Sequence, residues 1–278
     1  MLTILVPTDY SPEAKNALRY AVEFAAQTGS ELVLYHAIPE VMPISEIPYE
    51  NYYSDELDEE NLLIESFKNQ AELENFPSIR IPRAVVNFSN RVDDGICAAA
   101  DEVKADLIIL GTHGASGWKK YLLGSNASNL IARAKQPVIA IPSNYRFSPI
   151  YHIVYASDLK NLDTELNILV PFSKVFQSVL EIFYFDYAGA ESEKMMLDAE
   201  KYIEAHQYRN IRLSIKKGIL EKSLDEQLAQ ALNPGNTQIL AMFRSNHGWF
   251  DNLLTGSISE KMVMKCSIPV MVLKKEEV

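Results

Sequence analysis

At 278 residues, with 47% hydrophobic and 23% charged, the chain can bury a sizeable core and is neither disordered nor fibrous, and roughly 100–200 residues per domain favours two domains. A formal net charge of −11, with no Lys/Arg stripe interleaved with aromatics, opposes nucleic acid as a partner. No apolar run approaches the roughly 18 residues of a membrane span, and the opening "MLTILVPTDY" has neither a basic lead nor a cleavage site, so a cytoplasmic protein is expected.

Short apolar runs alternate with helical patterns from the start: "LTILVP", a helix from Ser11 to about Gln27, then "ELVLYHA". This alternation predicts βα units around a parallel sheet. Ser11 reads as an N-cap, Pro12 as the first helical residue and Gly29 as the stop, with Ala14, Ala17, Leu18, Ala21 and Ala25 forming the face laid on the sheet. "PEVMPISEIPYENYYSDELDEE", Pro39 to Glu60, is a long excursion ahead of the helical pattern "NLLIESFKNQAEL". Such a segment reads either as a lid or contact surface, or as a solvated loop whose tyrosines pack on the neighbouring repeat. Next come "ADLIIL", the loop "GTHGASGWKKYLLGSNAS" and a helix starting near Ser125; "PSNYRFSP", Pro142 to Pro149, then reads as a linker.

The programme then repeats. "ILVPTD" (Ile4 to Asp9) returns as "IVYASD" (Ile153 to Asp158), "ELVLYHA" as "EIFYFDY", and "GSNASNLIARAKQPVIAI" as "GSISEKMVMKCSIPVMVL". The offset falls from 149 to 150 residues early in the chain to 132 late, so the first copy carries about 17 more residues between Ala37 and Ala105. The expected domains are 1–143 and 150–278. Cys97 and Cys266, with no CxxC spacing, read as small core residues.

The loop after "ADLIIL" sits where ligands bind in open parallel sheets, at the carboxyl ends of the strands. Gly111, Gly114 and Gly124 would let backbone amides approach an anion, and the helix start at Ser125 adds unpaired N–H groups and a hydroxyl. Taken alone, the spacing is equally that of a tight turn with Ser125 as its N-cap. Neither GK[ST] nor GxGxxG is present. His113 has no acidic neighbour in sequence and reads as structural or phosphate-contacting rather than catalytic, and Lys119 and Lys120 as a solvated basic pair or as neutralisers of phosphate charge.

Gly111-x2-Gly114-x9-Gly124-Ser125, with "ILVPTDYS", "ELVLYHA" and "QPVIAIP" around it, resembles the ATP-binding signature of the universal stress protein family. The resemblance spans both halves and is that of a tandem member. It implies two open parallel five-stranded α/β sheets in order 3-2-1-4-5, of the adenine-nucleotide alpha-hydrolase-like type, often paired through the last strand, which the two halves could do internally. It also implies that Pro7 and Asp9 edge an adenosine pocket, with Ala37 and Leu110 as apolar walls. Gly111, His113, Gly114, Gly124, Ser125 and Asn126 would serve the phosphates. The implied ligand is ATP or another adenine nucleotide, with Mg²⁺ carried on its phosphates, and a protein partner or homo-oligomer is compatible with the family.

In the second copy the corresponding run, "MFRSNHGWFDNLLTGS", breaks the pattern. Counting back from Gly256 puts Phe243 and Asn246 at the first two glycines, while matching "NHG" to "THG" shortens the loop; Ala156 replaces Pro7, and Asp158 persists. One nucleotide site in the first half is therefore expected, against a variant anion site built by Arg244 and His247. No nucleophile, base and orienter set is readable, so slow hydrolysis at most is expected. The functional reading is a nucleotide-binding stress or signalling module, the other an interaction scaffold with two vestigial sites.

Overall fold

The computed structural model describes residues 1–38, 50–70, 83–112, 125–187, 190–244 and 266–275. The chain forms two compact units, Met1–Phe147 and Ser148–Val278. In the first, β1 (Thr3–Pro7), β2 (Glu31–Ile38), β3 (Arg83–Phe88), β4 (Leu107–Gly111) and β5 (Val138–Ile141) make a parallel sheet in the order β3-β2-β1-β4-β5. Between them run α1 (Pro12–Thr28), α2 (Glu50–Gln70), α3 (Val92–Glu102) and α4 (Ser125–Arg133).

The central strands are apolar on both faces, as a sheet covered by helices requires: Ile4, Leu5, Val6, Val33, Ile108 and Ile109 are all buried. Each such side chain is worth about 1.5–3 kcal/mol on leaving water. α1 carries the predicted punctuation. Ser11 Oγ accepts the Ala14 amide at 3.1 Å, Pro12 opens the helix, and Gly29, at φ 68°, closes it by donating its N–H to the Ala25 carbonyl at 2.8 Å. All five predicted face residues are buried, and Tyr20, Val22 and Phe24 are buried as well. Tyr20 packs against Tyr145 and Phe147, at centroid distances of 6.1 and 5.1 Å, while Asn16 Nδ2 donates to the carbonyls of Pro142 and Tyr145. Half of the expected linker is thus fastened to α1, and the units divide after Phe147.

The second unit repeats the plan with β6 (His152–Ala156), α5 (Leu162–Phe176), β7 (Val179–Asp186), α6 (Ala190–Ala205), β8 (Ile211–Lys217), α7 (Leu224–Ala231), β9 (Ile239–Arg244) and β10 (Val270–Lys274). Its parallel order is β8-β7-β6-β9-β10, again 3-2-1-4-5. One detail of the repeat needs correction. Thr3 pairs with Glu31 while its counterpart His152 pairs with Val179, so "ELVLYHAI" corresponds to "VLEIFYFD" and not to "EIFYFDY". Glutamate at 31 and at 181 is a chance match of type; the ladder, not the identity, sets the register.

Candidate functional site

The order of the first sheet reverses at β1, which has β2 on one side and β4 on the other, and this opens the crevice at the carboxyl ends. Pro7 ends β1 opposite Tyr35, and the chain turns at once: Thr8 N–H donates to the Tyr35 carbonyl at 2.9 Å and Ser11 N–H to Asp9 Oδ1 at 3.1 Å. The last bond closes an Asx turn, which points the exposed Asp9 outward and leads into the Ser11 cap. Asp9 therefore has a local structural duty and an exposed position at the strand end.

Between them Tyr10 is left-handed at φ 61°, a conformation that costs a non-glycine residue roughly 1–2 kcal/mol. Its ring packs at a tilt of 50° against that of His36, centroids 4.8 Å apart, and His36 Nδ1 stands 2.8 Å from the Thr8 carbonyl. Since a carbonyl only accepts, Nδ1 carries the proton. The Tyr10 hydroxyl is buried and, among the described residues, has no hydrogen-bond partner of ordinary geometry; burial, then the neighbouring Glu59 carboxylate of α2, pushes its pKa up to about 12. Tyr10, His36 and Glu59 were not singled out from the sequence. The alternation of "ELVLYHA" marks His36 as a strand residue, but its contact with Tyr10 depends on the turn.

Ala37 is half-buried on β2, opposite Asn87 of β3. Leu110 is 7% exposed and paired with Ala140 of β5. Gly111 ends β4 where packing by itself already requires a glycine. A Cβ there would lie 2.8 Å from the Glu13 carbonyl oxygen and 3.0 Å from its carbon, so the first turn of α1 already fills that space. His113, Gly114 and Gly124 lie outside the described residues, as do the side chains of Ser125 and Asn126.

The helix expected near Ser125 begins there, as α4. Ala127, Leu130 and Ile131 bury its inner face, and Arg133 in its last turn ties it to the start of α3. Arg133 Nη1 lies 3.0 Å from Asp93 Oδ2 and 2.6 Å from Asp94 Oδ1, and Arg91 joins the same two carboxylates at 2.9 and 3.2 Å. Burial alone would raise the Asp93 pKa, but the hydrogen bond and charge of Arg91, with a backbone hydrogen bond and the one from Arg133, outweigh it and hold the carboxyl below its usual range. Of the expected nucleotide residues, the described ones thus supply an exposed carboxylate, a small half-buried alanine on β2, and a helix whose first amides are unpaired within the helix. A carboxylate there can accept from the hydroxyls and the exocyclic amino group of a nucleoside, and the amides at the start of α4 suit an anion.

In the second unit the strand register decides between the two alignments left open. Ile153 pairs with Ile239 as Ile4 pairs with Leu107, so Phe243 stands where Gly111 stands, 3% exposed and edge-on to Tyr155 at 5.6 Å. Asn246, His247, Trp249 and Phe250 lie outside the described residues. Among the described residues, no helix is long and apolar enough to cross a membrane, and no group of three or more His, Cys, Asp or Glu is placed to hold a metal.

The model of the universal stress protein family matches residues 1–142. A universal stress protein of Methanocaldococcus jannaschii is 29% identical over 156 residues, covering 50% of this chain and 93% of its own. One from Mycobacterium tuberculosis H37Rv is 24% identical over 301 residues, 99% of this chain and 97% of its own, so its length matches both units. A solved universal stress protein of Archaeoglobus fulgidus superposes with a TM-score of 0.73 at 21% identity, over 99% of this chain and 98% of that one, and shares the tandem fold. With the sheet order repeated in both halves and the first half matched end to end, the chain belongs to the universal stress protein family, as a tandem member.

Proposed function

We propose that the first unit binds ATP or another adenine nucleotide at the crevice beside β1 and that the chain acts in stress response or signalling. The observation that carries this reading is the exposed Asp9, set on a closed turn where the sheet order reverses. Asp9 takes the nucleoside hydroxyls or base as acceptor, Pro7 and Ala37 line that end, and the loop through His113, Gly114 and Gly124 with the first residues of α4, Ser125 and Asn126, takes the phosphates. Leu110 contributes only its exposed edge, and Gly111 acts through packing. Mg²⁺ would travel on the phosphates, its charge offset by their oxygens rather than by a protein carboxylate cluster.

Titration calorimetry with ATP and Mg²⁺ tests this on the intact chain, on Asp9→Ala and on a Gly114→Val, Gly124→Val double variant. Heat from the intact chain, roughly tenfold or greater weakening in Asp9→Ala, and no binding by the double variant are expected, since a hydrogen bond to a charged group is worth about 1.5–3 kcal/mol. An intact chain that releases no heat would leave an interaction scaffold with two vestigial sites.

A further inference from the structure

The second unit already holds a positive group at the place that mirrors the nucleoside end of the proposed crevice. Asp158 follows β6 as Asp9 follows β1, and its Oδ1 accepts the Lys160 amide at 3.1 Å just as Asp9 accepts that of Ser11. The next residue is left-handed in both turns, Tyr10 and Leu159 each at φ 61°. The backbone corner is the same, but the exposure is not. Asp9 is exposed, whereas the Asp158 side chain keeps only 12% of its surface, with Lys275, the residue after β10, beside it.

Lys275 Nζ stands 2.8 Å from Glu165 Oε1, close enough for an ion pair though not aligned as a hydrogen bond, and 3.6 Å from Asp158 Oδ1. With the Asn161 amide turned to satisfy both its ends, that oxygen lies 3.2 Å from the same ammonium. The second Glu165 oxygen accepts from the buried Tyr155 hydroxyl. Glu165 is 2% and Lys275 13% exposed, so this is not a solvated surface pair of small worth. Burial drives the Glu165 pKa up, and Lys275 and Tyr155 only partly pull it back.

The first unit makes the corresponding tie with neutral groups. Asn16, one turn into α1, donates to the carbonyls of Pro142 and Tyr145 just past β5. Glu165, one turn into α5, meets a lysine just past β10 instead. The same helix-to-strand-end link therefore ends on backbone carbonyls in one unit and on an ammonium beside the aspartate in the other.

We propose that Lys275 is an internal ligand of the second unit: its ammonium, held by Asp158, Glu165 and Asn161, takes the place of a nucleoside, so this unit is closed to nucleotide. The closure rests on the nucleotide reading of the first unit; the lysine's role as ligand does not. Lys275→Ala in the full chain leaves two carboxylates without their cation, and the unfolding midpoint of the second unit falls by about 10 °C. Added propylammonium chloride restores much of that loss, while equal tetramethylammonium or sodium chloride, which bring charge but no N–H donor, do not.

A Lys275→Met, Asp158→Asn, Glu165→Gln variant, with no charge left to balance, unfolds well above Lys275→Met alone and ignores the amine. Wild-type-like melting of Lys275→Ala, equal recovery with all three salts, or a triple variant no better than Lys275→Met overturns the proposal; the last comparison serves if Lys275→Ala does not fold. Titration of the intact chain with ATP and Mg²⁺ yields one site per chain if the unit is closed, and two sites overturn the closure. No binding at all refutes the nucleotide reading of the first unit and leaves the amine result to decide the lysine.

Discussion

Gly111→Ala separates two roles that the sequence alone confounds. A glycine opening a phosphate loop invites the reading that it clears a path for the ligand, in which case a methyl group would weaken nucleotide binding and leave the empty protein alone. The packing around it supplies a different reason for the glycine. The added Cβ would meet the Glu13 carbonyl oxygen at 2.8 Å, its carbon at 3.0 Å and its Cβ at 3.3 Å. The two nearest atoms are backbone and cannot swing aside, so α1 or β4 must shift. Forcing one methyl group into a filled space costs about 1–3 kcal/mol, which for a unit of this size is a midpoint lowered by about 3–10 °C. Thermal and urea unfolding without nucleotide is the measurement. Glu13→Ala in the same background should recover little, because the obstruction is the carbonyl rather than the side chain. An unchanged midpoint combined with lost ATP binding would refute the packing account and return Gly111 to the ligand.

Two further outcomes follow from buried polar groups. The Tyr35 hydroxyl is buried with no hydrogen-bond partner among the described residues, burial pushes its pKa up to about 12, and a Cβ on Gly95 would overlap it. Tyr35→Phe should therefore be neutral or stabilising by up to about 1 kcal/mol, and should rescue most of the destabilisation of Gly95→Ala, as a double-mutant cycle in urea would register. Asp93, whose folded pKa is lowered, contributes stability above the unfolded value of about 3.9 and loses it as pH falls through the folded value. Asp93→Asn should lower the midpoint by about 2–5 °C at pH 7, the effect moderated because both arginines are about half exposed, and the gap to wild type should shrink below about pH 4; a gap constant with pH would contradict the linkage.

Much of this fold can be read in the sequence because local and global signals agree. The Ser11 cap, Pro12, the Gly29 stop and the alanine stripe each specify α1 without reference to the rest, and "ILVPTD" repeated as "IVYASD" announces the duplication. What escapes is whatever depends on two distant segments meeting. Glu13 lies nearly a hundred positions from Gly111, so their packing contact is invisible before the sheet is assembled. Lys275 reads as one of a charged pair following an apolar run, and only the tertiary structure brings it to Asp158 and Glu165. The slip between Glu31 and Glu181 has the same origin, since residue type is a weak guide where strand pairing fixes the count. His36 is hidden for the same reason, since its partners, a carbonyl and an aromatic ring, come from the turn after the neighbouring strand.

The left-handed corner after the first strand of each unit has a practical meaning for anyone altering this molecule. Glycine would sit there at ease, yet one unit carries a tyrosine packed against an imidazole and the other a leucine 5% exposed. The bulky group repays the twist by what it touches, so the bend and its anchor behave as one interchangeable cassette. Transplanting Asp158–Leu159 without the lysine that accompanies it, or Asp9–Tyr10 without its histidine, would carry over the kink and leave behind what holds it still.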